Sequence, residues 1–202
     1  MKIICIGRNY VDHAKELNNP VPTKPLVFMK PSTALVKDHR PFYYPEWSDE
    51  IHYECEVVLK IGKPGKSIAQ KDALDYIEQI SLGLDYTARD IQRKCKEKGH
   101  PWEIAKSFDF SAPVGEFKSF EKYRGHDVKF HLNKNGETVQ KGDTKDLIFS
   151  FEHLISYTSQ FFTLKKGDLI FTGTPAGVGE IKKGDIFEGF LENEKILLSI
   201  IK

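Results

Sequence analysis

The C-terminal stretch "LKKGDLIFTGTPAGVGEIKKGDIFEGFLENEKILLSIIK" restricts the fold more than any other part of the chain. Its apolar runs are short and are repeatedly interrupted by glycine, so it must form short strands joined by turns. "KKGD" occurs twice, before Leu169 and before Ile186, and reads as one kind of turn used ahead of two strands. A true repeat architecture would need at least three copies. Upstream, Pro20, Pro22, Pro25, Pro31, Pro41 and Pro45 forbid regular central structure over residues 20–48, leaving "LVFMK" as the one good strand there.

The rest alternates between the two periodicities. A strand is expected around Lys2 to Ile6, then a short helix over "NYVDHAKELNN" with Asn9 as its cap. "IHYECEVVLKIGK" reads as a strand, "SIAQKDALDYIEQI" as a helix and "SLGLDY" as a further short strand. "TARD" opens another helix, with Thr87 capping and Asp90 favouring its positive end, and Gly99 closes it ahead of Pro101. "VKFHLNKNGETVQ" is a hairpin turning at Asn135-Gly136, and "SFEHLISYTSQFF" is helical. The expectation is one α+β domain over residues 1–202, dominated by short strands.

Lys and Arg number 30 against 29 Asp and Glu, so no electrostatic footprint for nucleic acid or an anionic membrane exists, and an anionic ligand must be held locally. The apolar patch in "MKIICIGRNY" is too short for a signal-peptide core or a membrane span. The 3 cysteines, Cys5, Cys55 and Cys95, form no CxxC pair, which argues against a disulfide framework or a thiolate zinc site. A reduced, cytoplasmic protein is expected.

Several ionisable residues carry chemical content. Alternation puts Glu54 and Glu56 on one strand face, roughly 6.5 to 7 Å apart along it, where they repel unless a cation or proton lies between them. A solvated face would carry the same pattern. Asp85, at the end of "SLGLDY", would complete an all-oxygen set that suits magnesium or manganese better than zinc, and His52 could extend it or support it from behind. His13 and Glu16, three apart on the first helix, share a face, so the glutamate could orient the imidazole for deprotonating water. Lys106 lies in an apolar context and needs an anion to face if buried, or reaches solvent with its head group if not. "FTGTPAGVG" lacks the pattern of a phosphate loop, but its free amides and the Thr174 hydroxyl could hold a small carboxylate.

Taken together, "GRNYVDHAKE", "KPSTALV", "HYECEVVLKIGK", "LDYTARDIQ", "KGHPWEIAKSFDFSAPVG", "GDTKDLIFS" and "GDLIFTGTPAGVG" resemble, in order and spacing, the fumarylacetoacetate hydrolase superfamily, closest to its short acylpyruvase and oxaloacetate decarboxylase branch. The resemblance implies a mixed β-roll with a few peripheral helices and a homodimer. It implies Mg2+ or Mn2+ held by Glu54, Glu56 and Asp85, with Lys106 in the pocket and His13 with Glu16 as a water-activating dyad. Arg8, Arg89, Gln92 and Thr174 become substrate contacts. The additional N-terminal region of many relatives is not part of this sequence, and "LNNPVPTKP" falls in a variable part of the family.

The chemistry implied is cleavage of a small 2-oxo acid. A divalent ion stabilises the pyruvate enolate that develops when the next carbon–carbon bond breaks, Lys106 adds a second positive charge, and His13 activates the attacking water. Hydrolysis of acylpyruvates such as fumarylpyruvate or acetylpyruvate and decarboxylation of oxaloacetate share that enolate. So does keto–enol tautomerisation or isomerisation of 2-oxo or 2-hydroxydienoic acids, the nearest rival. A metal-binding module without turnover is the rival from outside enzymology.

Overall fold

The computed structural model describes residues 1–16, 20–36 and 40–202. A six-stranded mixed sheet carries the molecule, in the order Leu26–Lys30, Ile3–Gly7, Leu169–Phe171, Cys55–Ile61, Ile77–Leu84, Lys118–Ser119. Ile3–Gly7 runs parallel to Leu169–Phe171, and the other neighbours are antiparallel. The inner strands read as continuous apolar runs because both faces are covered: Ile4, Ile6, Val57, Leu59 and Ile170 enter the larger core, while Ile3, Cys5, Val58, Leu169 and Phe171 enter a smaller cluster.

A second, four-stranded antiparallel sheet contains the expected hairpin, Lys129–Lys134 with Glu137–Asp143, followed by Ile186–Leu191 and Glu194–Ile200. Its turn has Asn135 at φ 52° and Gly136 at φ 87°, the left-handed pair that an Asn-Gly hairpin requires. The two KKGD turns are alike. In each, the aspartate (Asp168, Asp185) accepts from the amide of the first lysine (Lys165, Lys182), closing the turn before its strand begins.

Helices are short and peripheral. Phe151–Phe161 is capped by the Ser150 side chain, and Arg89–Lys98 ends on Gly99 at φ 66°. No helix among the described residues is long and apolar enough to cross a membrane.

Four expectations are corrected. The segment 67–80 is not one helix: a 3-10 turn spans Gln70–Tyr76, and Ile77–Leu84 is a strand, because pairing with Cys55–Ile61 overrides local helical composition. The Asn9 side chain does not cap the first helix, Val11–Glu16; it donates to the carbonyls of Phe149 and Thr172 and accepts from the Phe149 amide, tying three segments together. Residues 17–19 of that expected helix lie outside the described residues. Thr87 makes no cap either, lying in the short strand Thr87–Ala88, and the helix cap Ala88 offers no side-chain bond. Finally, the strand expected over 51–63 is two strands in different sheets, Ile51–Tyr53 and Cys55–Ile61, separated at Glu54.

Candidate active site

The break at Glu54 builds the centre of the site. Glu54 lies between the two sheets rather than within a strand, Glu56 follows two residues into Cys55–Ile61, and Asp85 comes just after the neighbouring strand Ile77–Leu84. The Asp85 amide donates to the Glu54 carbonyl at 2.8 Å, which fixes the two chain ends side by side. Glu54, Glu56 and Asp85 are all buried and offer carboxylate oxygens within 4.8 Å of one another.

Buried carboxylates need counter-charge, and its distribution here is uneven. Lys106, from the helix Glu103–Lys106, points Nζ at Glu54 Oε2 (2.8 Å), Asp85 Oδ2 (2.7 Å) and Thr87 Oγ1 (2.6 Å). It is buried, so its ammonium faces anions and does not reach solvent. Arg89 donates to Glu54 Oε1 at 2.5 Å. Lys30 Nζ lies 2.8 Å from Asp85 Oδ1, in ion-pair contact but without hydrogen-bond geometry, which leaves that buried oxygen with no hydrogen-bond donor. Among the described residues, Glu56 has no cation of its own and accepts only the Gly173 amide, at 2.7 Å.

The electrostatics follow. Burial alone would raise the Glu54 carboxyl, but Lys106 and Arg89 outweigh it and hold it well below the usual carboxylate range. Burial, with Asp85 and Glu54 alongside, pushes Glu56 well above that range. Burial would lower Lys106, but Asp85 and Glu54 raise it, so it stays an ammonium. A divalent cation fits this donor set: it would give Glu56 the positive charge it lacks and Asp85 Oδ1 a partner, and three carboxylates suit a hard ion.

His13 and Glu16 sit beside this centre. His13 Nδ1 is 3.3 Å from Glu16 Oε2, and Glu16 Oε1 accepts from the Gly177 amide at 3.1 Å. A carboxylate can only accept, so Nδ1 carries the proton and Nε2 is left as the basic nitrogen. Burial lowers the His13 pKa below its ordinary value of 6.5 despite the nearby Glu54 and Glu16, so the ring is neutral at pH 7.

The other expected residues divide. Arg89 and Gln92 are buried and tied to each other, NH1 to Oε1 at 2.7 Å, so they form one edge of the site. Arg8 is half-buried in a left-handed conformation at φ 58°, and burial lowers its guanidinium pKa. His52 does not join the carboxylates; its Nε2 meets Glu50 at 2.9 Å and its Nδ1 accepts from Arg89 at 3.4 Å, so it supports Arg89. Thr174 also departs from expectation. Its hydroxyl donates its one proton to the Cys55 carbonyl at 2.8 Å, and so cannot donate to a carboxylate ligand; its own amide, which makes no hydrogen bond among the described residues, can.

Lys30 also belongs to this site, although no motif in the sequence singles it out. It ends the edge strand Leu26–Lys30, is buried, donates to Ser111 Oγ at 2.9 Å and to the Lys106 carbonyl, and so fixes Asp85 and Lys106 together. The one local signal is a lysine closing an apolar strand.

Residues 2–196 match the family described as fumarylacetoacetate (FAA) hydrolase, C-terminal. The chain is 45% identical over 191 residues to a mitochondrial oxaloacetate tautomerase of Mus musculus, covering 94% of this chain and 86% of that one. It is 41% identical over 189 residues to a mitochondrial oxaloacetate decarboxylase of Dictyostelium discoideum, covering 93% and 87%. The crystal structure of fumarylpyruvate hydrolase from Pseudomonas aeruginosa, in complex with Mn2+ and pyruvate, superposes with a TM-score of 0.93 at 37% identity, covering 100% of this chain and 89% of that one. The mixed β-roll architecture expected from the sequence is the one shared with these structures.

Proposed function

The chain belongs to the fumarylacetoacetate hydrolase family, and from that premise we propose that it is a divalent-metal-dependent enzyme that cleaves the carbon–carbon bond of acylpyruvate-type 2,4-dioxo acids and also decarboxylates oxaloacetate. The observation that carries this reading is the meeting of three buried carboxylates and an ammonium at one point, with a neutral His–Glu pair beside them. Glu54, Glu56 and Asp85 would hold the ion, Mg2+ or Mn2+, which supplies Lewis-acid stabilisation of negative charge on the 2-oxo acid.

This chain's own residues do the rest. Lys106 acts through its charge: its three protons are already directed to Glu54, Asp85 and Thr87, and its raised pKa keeps a permanent cation beside the developing oxyanion. His13 Nε2 removes a proton from water as the oxygen attacks the distal carbonyl, and Glu16 stabilises the imidazolium that results. The bond to that carbonyl then breaks, its electron pair passing into the pyruvate enolate, which takes up a proton to give pyruvate and a carboxylic acid. Decarboxylation reaches the same enolate by losing carbon dioxide and consumes no water. Arg8, Arg89, Gln92 and the Thr174 amide contact the substrate. The working form is a homodimer, as the resemblance implies.

A second reading is keto–enol tautomerisation of a 2-oxo acid, favoured by the likeness to the mitochondrial oxaloacetate tautomerase of Mus musculus, which needs proton transfer at the same enolate but no attacking water. A metal-binding module without turnover is disfavoured by the intact dyad and Lys106. Profiling the purified protein with magnesium or manganese on acetylpyruvate, fumarylpyruvate, oxaloacetate and dienoic 2-oxo acids tests the proposal. Turnover of the acylpyruvates to pyruvate supports it, and tautomerisation alone would replace it with the second reading.

A further inference from the structure

Gln140 belongs to the outer hairpin, in the strand Glu137–Asp143, yet its side chain is buried and reaches into the site. Its Oε1 accepts from the Cys55 amide at 2.9 Å, and Cys55 is the residue between Glu54 and Glu56. Its Nε2 donates to Thr174 Oγ1 at 2.9 Å and to the Pro175 carbonyl at 3.0 Å. An amide N–H can only donate and a carbonyl can only accept, so this orientation of the carboxamide is dictated by its partners. No other side chain of this size carries one acceptor and two donors in that arrangement.

The turn over residues 172–177 is anchored in two halves. Its first half is fixed without Gln140: the Thr172 hydroxyl donates to the Val57 carbonyl, Asn9 donates to the Thr172 carbonyl, and the Gly173 amide holds Glu56. Its second half carries the Thr174 amide, unbonded among the described residues, and the Gly177 amide that holds Glu16; the Thr174 hydroxyl donates to the Cys55 carbonyl, and Gln140 holds that hydroxyl and the Pro175 carbonyl in turn. That half lies tight against the hairpin, since a Cβ on Gly177 would fall 2.2 Å from the Val139 carbonyl oxygen and 3.3 Å from Gln140 Cγ.

We propose that Gln140 is a positioning residue that sets the second half of this turn, and through it the dyad glutamate and the substrate-facing amide, relative to the metal-ligand strand. Gln140 touches neither metal nor substrate. It fixes the separation between the water-activating side of the site and the carboxylate side, so it controls hydrolysis more than decarboxylation. The kinetic consequence rests on the proposed function; the structural one does not.

The test is Gln140→Met, which keeps the volume and removes all three hydrogen bonds, with Gln140→Asn, whose carboxamide is one methylene too short to bridge the Cys55 amide and the Pro175 carbonyl, should the first variant fail to fold. Amide hydrogen exchange should accelerate roughly tenfold or more at Gly177, whose amide holds Glu16, and stay unchanged at Thr172 and Gly173. Calorimetric titration with magnesium alone should match the parent, while oxalate binding to the magnesium-loaded protein weakens by about tenfold. KM for acetylpyruvate should rise, and the ratio of acetylpyruvate hydrolysis to oxaloacetate decarboxylation should fall. Unchanged exchange at Gly177, or equal losses of magnesium and oxalate affinity, overturns the assignment. If the parent turns over neither substrate, the proposed reaction fails, and the exchange measurement still decides the role of Gln140.

Discussion

Replacing Glu56 by glutamine should stabilise the metal-free protein and abolish its response to divalent ions. Glu56 is 2% exposed and, among the described residues, accepts one amide hydrogen bond and has no cation, and Glu54 and Asp85 lie beside it. Glutamine keeps an acceptor for the Gly173 amide and removes the charge. The folded-state pKa of Glu56 is raised, so its ionisation opposes folding: the cost is absent below the unfolded value of about 4.3 and grows by about 1.4 kcal/mol per pH unit above it until the folded pKa is reached. At pH 7 the variant should gain on the order of 2 kcal/mol, or about 4–8 °C in a chain of this length. At pH 4 the gain should vanish. The assay is thermal melting in EDTA at both pH values, repeated at pH 7 with magnesium. The parent should gain about 2.7 kcal/mol at a hundredfold excess over Kd, and the variant nothing. A variant less stable than the parent in EDTA at pH 7, or one still stabilised by magnesium, would refute the reading of Glu56 as the uncompensated ligand.

The pH–rate profile of acetylpyruvate hydrolysis should have its acid limb below pH 6.5, because burial lowers the His13 pKa and the neutral ring is the base; a limb at or above 6.5 contradicts that role. The same shift withdraws stability as pH falls below 6.5, since the unfolded chain then binds the proton more readily. Lys30→Met should cost about 3 kcal/mol in urea unfolding, the scale for breaking a buried ion pair from one side, and unchanged stability would show that Asp85 does not depend on it. Light scattering should report a dimer at micromolar concentration; a monomer there removes the homodimer from the account.

What the sequence disclosed was local. The Asn135-Gly136 turn, the Gly99 stop, the helix after Ser150 and the apolar runs of the inner strands depend on residues within a few positions of one another, so their signals survive in one dimension. The first half of Ile77–Leu84 was obscured because its strand state comes from pairing with Cys55–Ile61, not from its own composition. Asn9 and Thr87 have good capping side chains that the fold uses elsewhere, Asn9 to join distant loops and Thr87 to accept from Lys106. Of the candidate site, the three carboxylates, the His13–Glu16 pair and Lys106 were legible, although Glu54 and Glu56 converge through a break between sheets and not along one continuous strand. Lys30 and Gln140 were not. Each is defined by partners tens of residues away, 56 to 81 for the Lys30 hydrogen bonds and 34 to 85 for those of Gln140, and neither carries a motif of its own.

The division of labour between the dyad and the carboxylates is tested most directly by measuring acetylpyruvate hydrolysis and oxaloacetate decarboxylation side by side in His13→Ala and Glu54→Ala. In His13→Ala, hydrolysis should fall by roughly 10²-fold or more while decarboxylation falls much less, because only hydrolysis needs an activated water. In Glu54→Ala both should be lost, because both pass through the enolate whose charge that cluster stabilises. Equal losses of the two activities in His13→Ala would contradict the account and reduce His13 to a residue that orders the site.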